Sequence, residues 1–214
     1  MKKVVIIIIA FMFSILQCEA EVIDKFYKTI YQDNSFITYE ITETEFNNAT
    51  IFQLLSSFAE TEYKKVSLSS YGNIINMNVE WKKTPKYKSF DVIAIMFDGV
   101  TYNANSITGY QTATLNNNNN IKSVNYALSS SNTKILNNGF GISMNLIDSG
   151  MFFTLSISVR FTGNGKIYGN YRHATSNVSL NQSLKYELNN GVINFLDKTM
   201  DNLYDKINPL SLNL

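Results

Sequence analysis

From Val66 onward, apolar and polar residues alternate with a period of two. Ile75, Met77, Val79 and Trp81 alternate with Asn76, Asn78 and Glu80. Phe140, Ile142, Met144 and Leu146 alternate with Gly141, Ser143 and Asn145. Phe153, Leu155, Ile157, Val159 and Phe161 alternate with Thr154, Ser156, Ser158 and Arg160. Successive side chains of a strand point to opposite faces, so each stretch predicts a strand with one apolar face. Val92 to Phe97 is continuously apolar instead, the pattern of a central strand covered on both sides. Turn signals punctuate these runs. Asn138-Gly139, Asn164-Gly165 and Asn190-Gly191 are dipeptides that take the positive φ angles of tight hairpins. Tyr71-Gly72-Asn73, Thr84-Pro85 and Asp148-Ser149-Gly150 break the chain between other runs. Many strands at short spacing predict an all-β fold, an antiparallel β-sandwich of jelly-roll or Ig-like type.

Three segments depart from that period. Val22, Phe26 and Ile30 recur every four residues. Ile51, Leu54, Leu55 and Phe58 lie at i, i+3, i+4 and i+7. Phe195, Leu196, Thr199, Leu203 and Ile207 form a third apolar set ahead of Pro209. These spacings predict short helical segments near the N- and C-termini. At the very start, Lys2 and Lys3 precede an apolar run from Val4 to Leu16, and Cys18-Glu19-Ala20 follows. This is the grammar of a secretory signal cleaved before Glu21. The run is short for a bilayer span, which takes roughly 20 residues, so an uncleaved membrane anchor is the lesser alternative. Leu16-Gln17-Cys18 also approaches a lipoprotein cleavage box, which would lipidate Cys18, but Gln stands where a small residue is usual. The expected organisation is a signal peptide (1–20), a mixed N-terminal segment (21–63), a β-sandwich domain (64–190) and a C-terminal segment with helical character (191–214). No later segment has the length and apolarity of a transmembrane helix.

Composition narrows the chemistry. The chain has 214 residues, 18 basic and 17 acidic, and only 16% are charged. Asn is unusually frequent, and Asn116 to Asn120 is a low-complexity run expected to form a loop. Without a basic excess, nucleic-acid binding has no electrostatic footing. One Cys and one His remove disulfide frameworks and zinc-type metal sites. If Cys18 leaves with the signal, the mature protein has no thiol and relies on its core. Calcium could use Asp98 or Asp148, but EF-hand spacing is absent. No cofactor or metal is expected.

The candidate chemistry rests on few residues. His173 would be the base of any Ser-His-Asp triad, with Ser129, Ser176 or Ser179 as nucleophile, yet no G-x-S-x-G elbow occurs. A hydrogen-bonded structural role suits it better. A glycosidase needs two facing carboxylates, and Glu80, Asp91 and Asp98 show no pairing. Aromatics are more informative. There are 13 Tyr and 14 Phe. Tyr102, Tyr110, Tyr126, Tyr168 and Tyr171 fall near Asn-rich turns, where a ring can stack on a sugar or a protein while amides bond hydroxyls. Of these, Tyr102, Tyr110 and Tyr171 are the chosen ligand contacts. The segment 139–161 reads as a hairpin with arms near the 9 to 11 residues that cross a bilayer as strand, so membrane insertion is an alternative.

Trp81-Lys82-Lys83-Thr84-Pro85 with Ser89-Phe90-Asp91-Val92-Ile93, and Tyr168-Gly169-Asn170-Tyr171-Arg172-His173-Ala174, form two blocks. They resemble blocks of small secreted proteins of low-GC Gram-positive bacteria, over roughly residues 62 to 190. The resemblance implies export and a β domain and carries over no functional site. The expected function is a secreted or cell-surface, non-enzymatic protein with a binding or structural role, its ligand a glycan or a cell-surface protein. A pore-forming β protein and a hydrolase of unrecognised type are the alternatives.

Overall fold

The structure, a computed structural model, describes residues 26–32, 35–41, 55–115, 121–205 and 207–214. The expected signal segment with Cys18, and the Asn116–Asn120 run, lie outside them. The chain divides into two compact units, Met1–Leu54 and Leu55–Leu214. In the first, β1 (Phe26–Gln32) and β2 (Ser35–Ile41) pair antiparallel, with Phe26 opposite Ile41.

The second unit is an antiparallel β-sandwich. Its strands are β3 (Leu55–Glu60), β4 (Lys64–Tyr71), β5 (Ile74–Trp81), β6 (Phe90–Asp98), β7 (Thr101–Leu115), β8 (Ile121–Ala127), β9 (Thr133–Leu136), β10 (Gly139–Asn145), β11 (Gly150–Thr162), β12 (Lys166–Arg172), β13 (Tyr186–Asn189), β14 (Val192–Phe195) and β15 (Leu210–Asn213). One sheet has the order β3-β4-β5-β11-β7-β8, and the other β15-β12-β6-β10-β9. The alternating runs supply the main core between the sheets. Ile75, Met77, Val79, Leu155, Ile157 and Val159 from one sheet meet Ile93, Ile95, Phe140, Ile142 and Met144 from the other, all at most 1% exposed. Gln111 is a polar staple at the edge of this core. Its amide nitrogen donates to the Tyr126 hydroxyl (3.1 Å) and the Asn145 carbonyl (2.9 Å), and its oxygen accepts from the Ile147 N–H (3.1 Å).

β6 is buried on both faces, as its continuous apolar run predicts. Ile93, Ile95 and Phe97 face the main core. Val92, Ala94 and Met96 face a second cluster with Val178, Tyr186, Leu188, Ile193, Phe195, Met200 and Tyr204. The β13–β14 hairpin lies over this second face. Asn190 (φ 52°) and Gly191 (φ 78°) form its two-residue turn, both in the left-handed region that a type I′ turn demands.

Several local expectations are corrected. Phe26 and Ile30 lie in β1, because a four-residue spacing shares a face in a strand as well as in a helix. From Leu55 onward the second helical pattern is strand β3, paired along its length with β4; residues 51–54 lie outside the description. Near the C-terminus, Phe195 closes β14, and helical character is confined to a 3-10 turn (Lys198–Asn202) capped by Asp197. Phe195, Met200 and Tyr204 instead reach β6's second face, and Leu210–Asn213 forms β15 against β12. A further helix, α1 (Leu180–Ser183), carries a Ser179–Gln182 capping box.

The 139–161 segment is not a hairpin. β10 pairs with β6 and β9, whereas β11 pairs with β5 and β7 in the opposite sheet. Their apolar faces meet across the core, and alternation looks the same whether two strands pair or face each other. Both are interior strands of their sheets, so a pair cannot leave without dismantling both. Likewise the chain at Asn164-Gly165 crosses between sheets, and the β9–β10 hairpin turns at Asn137-Asn138, one residue before the expected dipeptide.

The face of β10 opposite the main core is dry rather than wet. Gly139, Gly141 and Ser143 are buried, and Leu188 and Tyr186 of β13 lie close over the two glycines. A Cβ on Gly141 would stand 2.3 Å from the Tyr186 hydroxyl and 2.9 Å from the Ala94 Cβ. Gly141→Ala is therefore expected to destabilise the sandwich by about 1–3 kcal/mol, read as a lower midpoint in urea unfolding; an unchanged midpoint would refute this close packing.

Candidate functional site

Two places gather functional side chains. The first lies at one end of the main core. Asp91, near the start of β6, is fully buried. Its carboxylate receives the Ala174 N–H at 2.9 Å and the Tyr171 hydroxyl, and it meets His173 Nδ1 at 2.9 and 3.1 Å. Trp81, the last residue of β5, donates its indole N–H to the Tyr171 hydroxyl oxygen at 3.2 Å. The His173 ring stands edge-on to the Trp81 ring, with centroids 4.6 Å apart and planes at 69°. Lys64, the first residue of β4, pairs with Asp205, whose other oxygen accepts the His173 backbone N–H at 3.0 Å. The Lys64 amine lies 4.8 Å from the centre of the Trp81 ring and 5.3 Å from that of Tyr171.

An Asp–His pair is two thirds of a nucleophilic triad. The third part is not in place among the described residues, where no Ser, Thr or Cys side chain hydrogen-bonds to His173. Ser179 caps α1. Ser129 and Ser176 make no bond to the ring. The pair instead closes the end of the sandwich, where the Ala174 N–H, the Tyr171 hydroxyl and His173 Nδ1 offset the cost of burying Asp91. The carboxylates weighed for a glycosidase stay apart: Glu80 is exposed on the opposite face of β5 from Trp81, and Asp98 sits at the far end of β6 from Asp91.

The three tyrosines expected to contact a ligand separate. Tyr171 is fully buried, with its hydroxyl on Asp91, so it cannot contact a ligand. Its position in β12 has the inward parity of Ile167, which overrides its nearness to a turn. Tyr102 is half-buried. Its ring stacks on Phe97 at 4.7 Å, and its hydroxyl donates to the Leu136 and Gly139 carbonyls, both at 2.9 Å. That phenol ties β7 to the β9–β10 turn and points away from solvent. Tyr110 alone of the three faces outward beside a groove.

That groove is the second place. It lies on the outer face of the six-stranded sheet, about 530 Å³ in volume, and Glu80, Tyr110, Thr112, Ser123, Phe152 and Thr154 line it. The registers set the surrounding side chains in rows. One row runs Lys65, Glu80, Thr154, Thr112, Ser123. The next runs Ser67, Asn78, Ser156, Tyr110, Asn125. Short hydroxyl and amide side chains keep the face low next to the Tyr110 ring. At its end, Phe152 (48% exposed) and Ile121 (69%) form an apolar rim.

Sequence reading missed Lys64 and Asp205. The signal for Lys64 was available: it shares the inward parity of Val66 and Leu68, so the alternation puts a charged residue on the core face. Asp205 carries no such signal, because it acts from an irregular segment ahead of β15.

No family model matches the chain, and no curated protein matches it. Among solved structures, it is similar to the collagen-binding domain from a Staphylococcus aureus adhesin, with 10% identity and a TM-score of 0.33, covering 57% of this chain and 85% of that one. It is also similar to the KRT10-binding region domain of the pneumococcal serine-rich repeat protein PsrP, with 12% identity and a TM-score of 0.28, covering 56% of this chain and 83% of that one.

Burial raises the hydroxyl pKa of Tyr171, Tyr186 and Tyr204, and the Asp91 charge adds to this at Tyr171 and Tyr204. The unfolded chain ionises its tyrosines near pH ~10. Stability held by these neutral phenols is complete below that pH and is lost as pH rises above it, because only the unfolded state releases the protons. Alkaline titration is expected to show the phenolate absorbance of these three tyrosines only together with loss of the β-sheet circular dichroism signal. Phenolate formation by all tyrosines in a still-folded protein would contradict their placement.

Proposed function

We propose that this protein is an exported, non-enzymatic binding module that holds an uncharged carbohydrate on the outer face of its six-stranded sheet. The observation that carries this reading is the Tyr110 groove. The half-buried Tyr110 ring stands among Ser, Thr and Asn side chains projecting from adjacent strands. Sugars offer an apolar face for stacking and a rim of hydroxyls, and such a surface complements both. From β5 to β8, the strands around the groove, Glu80 is the single charged residue of the two rows, which disfavours an ionic ligand. Export rests on the leader-like residues 1–20. Among the described residues no helix is long and apolar enough to cross a membrane.

A protein ligand is the second reading. Phe152 and Ile121 favour it, since exposed aromatic and aliphatic side chains at a groove are common anchors at protein interfaces. The two structural neighbours are described by their protein ligands, collagen and KRT10.

Screening the purified protein against immobilised neutral glycans and extracellular proteins tests both. The expected outcome is glycan binding that Tyr110→Ala weakens by about tenfold or more, as loss of a central anchor does, with an unchanged circular dichroism spectrum. Binding to a protein that Phe152→Ala abolishes and Tyr110→Ala spares would replace the first reading by the second. Binding unaffected by either substitution would refute the groove as the site.

A further inference from the structure

Lys64 is an unusual lysine. It occupies a core-facing position at the start of β4, in register with Trp81, and is 5% exposed. Its amine is walled by the Trp81 and Tyr171 rings and meets one oxygen of Asp205. The other oxygen of that carboxylate is fixed by the His173 backbone N–H at 3.0 Å. By contrast the Lys82–Glu60 pair leaves its side chains 38% and 42% exposed, where water solvates both charges. At Lys64 the side chain is 6% exposed, and an ammonium there is stripped of most of its hydration. The fold thus holds this amine in contact with the carboxylate, with the Trp81 and Tyr171 rings excluding water on the lysine's side, while the Asp205 side chain is 33% exposed.

We propose that Lys64 and Asp205 condense to form an intramolecular amide bond. One Nζ proton passes to Asp205 Oδ2, and the lone pair so freed attacks Cγ, forming the N–C bond. The negative charge that develops on Oδ1 is met by the His173 N–H, which is already in place for it. A second Nζ proton passes to the Oδ2 hydroxyl, the Cγ–Oδ2 bond breaks, and one water leaves. An ammonium and a carboxylate thus become an amide plus water, with no oxidant or other reactant. Holding amine and carboxyl in contact supplies the effective concentration that makes such a step accessible.

The placement gives the bond a purpose. The two residues are 141 positions apart, and the bond would join β4 to the segment leading into β15, the edge strand that packs near β3 and β4. The only Cys of the chain is Cys18, so no intramolecular disulfide can serve this role. A covalent tie across so long a loop restricts the unfolded chain and raises stability.

The test is the mass of the intact purified protein, followed by tandem mass spectrometry of its proteolytic peptides. The expected mass is about 18 Da below that of the same chain without the bond, the water lost in a covalent modification, with a branched peptide containing Lys64 and Asp205. Lys64→Arg keeps a cation facing Asp205 but is not expected to condense, so its mass should be that of the uncrosslinked variant and its melting temperature lower. Asp205→Ala should likewise show no loss of water. An unmodified wild-type mass overturns the proposal. So does a loss of water that maps to Asp98-Gly99 as a cyclic imide, or one that persists in Lys64→Arg.

Discussion

The double burial of β6 is the constraint on which the rest of the sandwich depends. A strand with six consecutive apolar residues cannot present either face to water. Its inner face is satisfied by the opposite sheet, as in any sandwich. Its outer face demands a second cover, and the chain between β12 and β15 supplies it. The β13–β14 hairpin, the 3-10 turn and Tyr204 all lie over Val92, Ala94 and Met96. Phe195 and Tyr204 stack at 4.5 Å, and the Tyr204 hydroxyl donates to the Phe90 carbonyl at 2.9 Å. The C-terminal segment is therefore part of the core's closure. Gly139 and Gly141 on the neighbouring β10 follow from the same demand, since only a chain without Cβ atoms admits the hairpin so closely.

Closing one core on two sides leaves the ends of the sandwich to be sealed. At one end the seal is polar. Asp91 holds β6 to His173 and Ala174, Tyr171 links that carboxylate to Trp81 on the facing sheet, and Lys64 with Asp205 extends the network to β4. Both Asp91 oxygens have donors, which offsets part of the cost of burying that charge and fixes a single geometry. Two sheets joined in this way form a rigid frame. A rigid frame is what a ligand-binding sheet face needs, since ordering the site on binding would cost affinity.

Much of this was legible in the alternation. The inward sets of β5, β10 and β11, the two-sided burial of β6 and the Asn190-Gly191 turn follow directly from period and turn chemistry. Pairing was not legible. β10 and β11 carry the same pattern and are adjacent in sequence, yet they belong to opposite sheets, because period two reports which face is buried and not which strand lies alongside. The helical spacings failed for a related reason: Phe26 and Ile30, four apart, share a face in either structure. The site was legible in part. The two sequence blocks, one with Trp81 and Asp91, the other with Tyr171 and His173, converge on one buried cluster, so what they share is a structural seal. Lys64 stood out only by parity, and Asp205 not at all, since an irregular segment has no period to betray which side chains turn inward.

The tyrosines show how parity governs function in a sheet protein. Tyr171, Tyr102 and Tyr110 all lie near Asn-rich sequence, and composition alone treats them alike. Tyr171 has inward parity on a central strand and serves the core. Tyr102 pairs with Phe161 just beyond the register shift between Ser158 and Arg160, and its ring takes the inward side and stacks on Phe97. Tyr110 has outward parity two rows further along, where the same strand pairs regularly on both sides. A long strand can thus place one aromatic inside and another outside by a single irregularity between them. The break in register that ties down Tyr102 is also what lets Tyr110 stand on the open face, among hydroxyls and amides, where a ligand can reach it.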